Sequence, residues 1–293
     1  HYIWDIINSN PNRYRNGVRF MHHLLVVNQK SEATRARIMN ELGRMHFEFF
    51  RDYARAGFWW RQAKVDRNPK FSQTPSAARL AECYWRLGNR DLAVDLLERL
   101  PLTLAVIKAW GELKETDKAL RLCDEGLRRG FLPSQTHLLA GDVCRTAKDF
   151  SKAAEFYGKV LSLPAQGKQQ EQIKKDQERA REAQEVMRLF DALDVSRIPD
   201  GTYPGKSLGY AGSVEVEVAV KAGRIETIQV TQNPDRQYYR AVEDTIRRIL
   251  NRQTVNGVDA ISGATFTSEA VIRASAKALG EGMKTNGVVK LPK

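Results

Sequence analysis

From residue 199 to its end at Lys293 the chain contains no histidine and no cysteine. Histidine acid–base chemistry, thiol chemistry and cysteine/histidine metal sites are therefore excluded within that region. Cysteine is scarce elsewhere too. Cys83, Cys123 and Cys144 fall in helical patterns, at spacings that match no zinc, haem-attachment or thioredoxin-type motif. They read as small core residues, with one bridge and one free thiol as the alternative, since an odd number makes no disulfide framework. His22, His23 and His46 have no second ligand at metal spacing. No apolar run reaches membrane-spanning length, and the longest, residues 20–27, is interrupted by two histidines. The sequence begins at His1 rather than Met, so native residues are expected to precede it. A signal peptide, lipid anchor or transmembrane helix before it stays open.

The 293 residues suffice for two domains, each with its own core. Their net charge is +12; residues 199–293 hold thirteen basic and ten acidic side chains, +3, which leaves +9 on the first part. Such a balance suits an acidic partner, an anionic membrane face or nucleic acid. No nucleic-acid module accompanies the charge, so nucleic acid is not an expected partner.

Residues 1–70 combine arginines with Trp4, Tyr14, Phe20, Phe47, Phe49, Phe50, Tyr53, Phe58, Trp59 and Trp60. Apolar spacing predicts helices over 18–27 and 32–56, with the aromatics filling the space between helices rather than stacking on bases. From 71 to 164 the chain repeats itself. Ala77, Leu80, Ala81 and Tyr84 are followed by Ala93 and Leu97; Val106, Trp110 and Leu113 by Ala119 and Cys123; Ala140, Gly141 and Cys144 by Ala153 and Tyr157. Small residues where paired helices touch resemble the tetratricopeptide repeat, and Ala119 and Ala153 stand one repeat length, 34 residues, apart. Ala93 and Ala119 are only 26 apart, so the middle unit is shortened. The resemblance implies an all-α helical-repeat solenoid that binds a partner, with residues 1–70 as its N-terminal part. Residues 165–198, a polar run of mixed charge ending in an apolar stretch, are expected to form a helix capping the solenoid and connecting it onward. Residues 198–201 are a break.

Residues 199–293 have a different pattern. A turn-rich opening, 201–212, leads into Val214, Val216, Val218 and Val220 alternating with Glu215, Glu217 and Ala219, a half-buried strand. Residues 221–224 form a hairpin turn, Ile225, Ile228 and Val230 a second strand, and residues 240–250 a helix. This predicts a small α+β domain. Its most distinctive stretch comes next: Asp259, Ala260, Ile261, Ser262, Gly263, Ala264, Thr265, Phe266, Thr267 and Ser268. An apolar-periodic run follows, read as a helix with Thr267 or Ser268 as N-cap and Gly280 as its end. Gly263 permits close approach to the backbone, and the helix N-terminus suits an anion such as a phosphate. A plain capping turn is the other reading of the same residues.

An acid, two spacers and then Ser262, Gly263, Ala264 and Thr265 resemble the attachment motif of the FMN-binding domain family. That family occurs in subunits of sodium-pumping NADH:quinone oxidoreductases, Rnf electron-transport complexes and nitrous-oxide regulatory membrane proteins. The order of Asp200-Gly201-Thr202-Tyr203, Gly209-Tyr210-Ala211-Gly212, the valine strand and the 221–225 turn is similar as well. The resemblance implies that Thr265 carries FMN through a phosphoester bond installed by a flavin transferase from FAD. Asp259, Ser262, Gly263 and Ala264 would be its recognition context, with the hydroxyl pair Thr267 and Ser268 beside it. Gly209, Tyr210 and Gly212 would be flavin contacts, Tyr210 reading equally as a packing residue. It further implies an electron-transfer protein at the membrane, outside the cytoplasm, docked by its repeats to a redox protein or membrane electron-transport complex. A repeat scaffold whose C-terminal domain holds no flavin is the rival, and an enzyme acting at a dissociable flavin a third.

Overall fold

The computed structural model describes residues 13–68, 70–72, 74–209, 211–235, 239–258 and 265–285. The chain divides into two units, His1–Val160 and Leu161–Lys293. The first holds helices α1 (Tyr14–Val27), α2 (Glu32–Glu48), α3 (Tyr53–Gln62), α4 (Pro75–Arg86), α5 (Arg90–Arg99), α6 (Leu104–Glu112), α7 (Thr116–Arg128), α8 (Pro133–Thr146) and α9 (Phe150–Leu161). Their starts are written locally. Side-chain oxygens of Ser31, Asp52, Asn89 and Thr103 accept from backbone N–H groups in the first turns of α2, α3, α5 and α6. Pro75 and Pro133 open α4 and α8, where the missing N–H costs nothing.

The three expected helix pairs are α4–α5, α6–α7 and α8–α9. Ala93, Ala119 and Ala153 are each fully buried. The short middle unit has a plain cause: α6 has 9 residues, against 12 in α4 and 14 in α8. Cys83, Cys123 and Cys144 are buried and unbridged. Burial pushes their thiols up, Cys123 to about 12, so they pack as apolar groups. The aromatics of α1–α3 are packing residues as well. Tyr14 stacks on Phe49 at 4.0 Å, and Trp60, fully buried, donates its indole N–H to the Asn40 carbonyl at 3.1 Å.

The second unit contains α10 (Gln170–Ala192), strands β1 (Gly201–Leu208), β2 (Ser213–Lys221) and β3 (Arg224–Gln232), and helices α11 (Tyr239–Arg252) and α12 (Thr265–Thr285). The strands form an antiparallel meander in the order β1-β2-β3. Val214, Val216, Val218 and Val220 point to the core, and the β2–β3 hairpin turns at Ala222 and Gly223 with φ of 49° and 70°. The first strand was hidden in the sequence by Gly201, Pro204 and Gly205, which read as a turn. Gly205 is instead the point where α12 meets the sheet: a Cβ there would stand 2.8 Å from Ala278 N and closer still to the Ala274 carbonyl oxygen. Ala270, Ala274 and Ala278 are fully buried along the same helix.

Two expectations for this last helix change here. Helix α12 runs through Gly280 to Thr285, because Gly280 lies in its interior, beside Leu189, rather than at a cap. It also begins at Thr265, so Thr267 and Ser268 are in its first turn and not before it. Helix α10 falls in the C-terminal unit. Val186 and Phe190 enter the core formed by the strands and α12, and Ile173, Ala180 and Ala183 earlier in the helix are buried as well.

Two outcomes test this packing. Gly205→Ala forces a methyl into helix backbone and should destabilise the protein by about 2 kcal/mol or more, measured by denaturant unfolding. His46, on α2, is held below its ordinary pKa by burial, and its Nδ1 is buried without a partner. The unfolded chain then takes up the proton more readily than the folded one. His46 thus contributes full stability above the ordinary histidine range and less as pH falls through it. Unfolding curves at about pH 7.5 and about pH 5.5 should differ less in His46→Gln than in the parent.

Candidate functional site

Three segments distant in the chain meet at one carboxylate. Asp235, after β3, is fully buried. Its Oδ1 accepts from the backbone N–H of Ala211 at 2.6 Å, and its Oδ2 from the hydroxyl of Thr267 at 2.7 Å. Its own N–H donates to Asn233 Oδ1 at 2.9 Å, which fixes the turn that presents it. Gly209 N–H donates to the Gly212 carbonyl at 2.7 Å, which draws these two glycines together. A Cβ at Gly209 would lie 2.7 Å from Asp235 Oδ2, so a glycine is required for the loop to rest on the carboxylate. Gly212 sits against Pro234, with 3.2 Å from an added Cβ to its Cγ.

A second carboxylate holds the end of β1, just ahead of that loop. Glu182 of α10 accepts from the Ser207 hydroxyl at 2.9 Å and from the backbone N–H of Leu208 at 3.2 Å. It also faces Arg273 at 3.5 Å and Lys277 at 3.7 Å on α12. Arg273 is ion-paired with the buried Glu269 one turn earlier. The last residues of β1 and the middle of α12 are thus fixed to each other through α10.

The sequence-predicted residues fall out as follows. Thr265 is the first residue of α12. Thr267 and Ser268 are buried, with the Thr267 hydroxyl committed to Asp235. Gly209 and Gly212 form the loop that Asp235 binds. Asp259, Ser262, Gly263, Ala264 and Tyr210 lie outside the described residues. Sequence reading missed Asp235 and Glu182. Asp235 had only a turn signal, Asn233-Pro234-Asp235, and Glu182 lay among many similar charges. Their partners are 32 and 25 residues away, beyond any local pattern.

Chemically, the arrangement offers the positive end of a 21-residue helix, two glycines held near it through Asp235, and a hydroxyl residue at the helix start. These features fit a cofactor that brings a phosphate and needs close backbone approach. Among the described residues no group of His, Cys, Asp and Glu is arranged to hold a metal ion.

The FMN-binding domain family matches residues 209–280, which include the glycine loop, Asp235 and most of α12. An uncharacterized protein of Treponema pallidum (strain Nichols) is 37% identical over 86 residues, 29% of this chain. That match covers 24% of the relative's own length. No solved structure matches the chain. Behind a region of many helices, residues 209–280 of this chain thus match the FMN-binding domain family.

Proposed function

We propose that the protein is an extracytoplasmic electron carrier in which FMN is joined through its phosphate to Thr265, and that the helical unit, a tetratricopeptide-like array, docks it to a partner redox protein or membrane electron-transport complex. The observation that carries this reading is a coincidence on one stretch of chain. The family match covers the place where the 209–212 loop, Asp235 and Thr267 converge on the first turn of the helix that Thr265 begins.

Bound FMN supplies one- and two-electron transfer, and the protein sets its exposure and orientation. Attachment forms an ester bond between Thr265 Oγ and the FMN phosphorus. The pyrophosphate bond of FAD breaks, AMP leaves, and the hydroxyl proton goes to solvent, with a flavin transferase as catalyst. The chain's own part is to hold the acceptor residue still. Asp235 fixes the 209–212 loop against the start of α12, and Glu182 fixes the end of β1 against the same helix. A covalent link keeps the cofactor where free FMN would be lost, which suits a location outside the cytoplasm. The basic helical unit suits an acidic partner surface.

Intact mass after co-expression with a flavin transferase tests the attachment. The parent should gain one FMN less one water and Thr265→Val should gain nothing; an unmodified parent beside a modified control protein would sink the reading. Asp235→Ala should act through positioning. It leaves the Thr267 hydroxyl and the Ala211 N–H buried without an acceptor, at a cost of about 2 kcal/mol or more. The flavinylated fraction should fall with it, whereas Asp244→Ala, at an exposed ion pair on α11, should leave that fraction unchanged.

A further inference from the structure

Four of the six large apolar side chains that stand exposed among the described residues are on α1 and α3: Phe20, Val26, Val27 and Phe58, the last three each more than half exposed. Phe58 reaches α1 through Trp59. The ring of His22 on α1 meets Trp59 of α3 edge-on at 5.2 Å, and Trp59 meets Phe58 at 5.0 Å. On α1, Phe20, His23 and Val27 follow at helical spacing, as do Arg15, Arg19 and Val26, while Tyr14, Gly17 and Met21 face the core. The charge on this helix has one sign. Residues 6–31 include Arg13, Arg15, Arg19 and Lys30 and no acidic residue at all.

An apolar face mixed with unopposed cations and flanking aromatics matches the boundary of an anionic bilayer. Apolar side chains enter the acyl region there, and arginine stems lie along it with their heads among phosphates. No described helix is long and apolar enough to cross a membrane, so contact through this face is interfacial.

We infer that the exposed face of α1, with Phe58 and Trp59 of α3, docks the protein on an anionic lipid surface. This stands apart from the flavin reading, since it uses none of the residues of that site.

The test is co-sedimentation of the full chain with vesicles of phosphatidylcholine alone or mixed with phosphatidylglycerol, at low and moderate salt. The parent should bind the anionic vesicles and leave the neutral ones. The paired variant Val26→Asp/Val27→Asp should weaken binding by about tenfold through loss of apolar insertion. Arg15→Glu/Arg19→Glu should weaken it by more than about tenfold through charge. Arg121→Glu/Arg128→Glu, on exposed positions of α7, makes the same change in net charge and should have a much smaller effect. All these positions are exposed, and circular dichroism checks that each variant folds. Failure of the parent to bind anionic vesicles overturns the proposal and leaves the face to an acidic protein or a second copy. Equal weakening by the α7 variant, or binding indifferent to the valine changes, also overturns it, because net charge alone would then explain the association.

Discussion

A carboxylate removed from water must find hydrogen-bond donors inside the protein, and in the C-terminal unit the donors that Asp235 finds belong to different elements. Among the described residues one is a backbone N–H of the loop after β1 and another a hydroxyl in the first turn of α12. Satisfying the charge therefore fixes where the loop and the helix start lie. Gly209 is a consequence of the same requirement, since a side chain at that position would occupy the space the carboxylate needs. Glu182 repeats the device from another direction, joining α10 to the end of β1 and to two cations of α12. The candidate site is a corner whose sides are held by buried charge, and its chemistry is left to what binds there.

The helical unit is held together by other means. Small residues set the closeness of its helix pairs, and buried aromatics fill the wider gaps near its beginning. Ion pairs run across helices as well, from Arg44 to Glu48 and Arg79, and through Arg86 between Glu82 and Glu112. Burial raises the pKa of Glu112, with the neighbouring Glu82 adding to the effect, and Arg86 opposes both. Such rows give register to helices whose apolar faces are otherwise alike.

What the sequence made legible is what local chemistry decides. The helix pairs followed from small residues at repeat spacing, and the valine strand from its strict alternation. The hairpin followed from Ala222 and Gly223, and the flavin family from residues 259–265 in their order. The first strand was missed because its glycine and proline serve a close helix contact instead of a turn. Helix α12 was ended too soon because Gly280 looks the same in a helix interior as at a cap. Asp235 and Glu182 were beyond reach for a different reason. Each is an ordinary acid in an ordinary polar stretch, and only the fold gives it donors from distant parts of the chain.

The membership of α10 bears on how such a chain can be divided or recombined. The proline at 199 is the visible seam, where composition changes and a strand begins. The seam in the folded molecule is near residue 160 instead, ahead of a helix whose Glu182, Val186 and Phe190 serve the β-sheet unit. A rearrangement that moved the flavin-family domain to another protein at the visible seam would leave behind an ionic clamp and part of the core. A rearrangement at the earlier seam would carry both with it, the charged leading helix travelling as part of the domain.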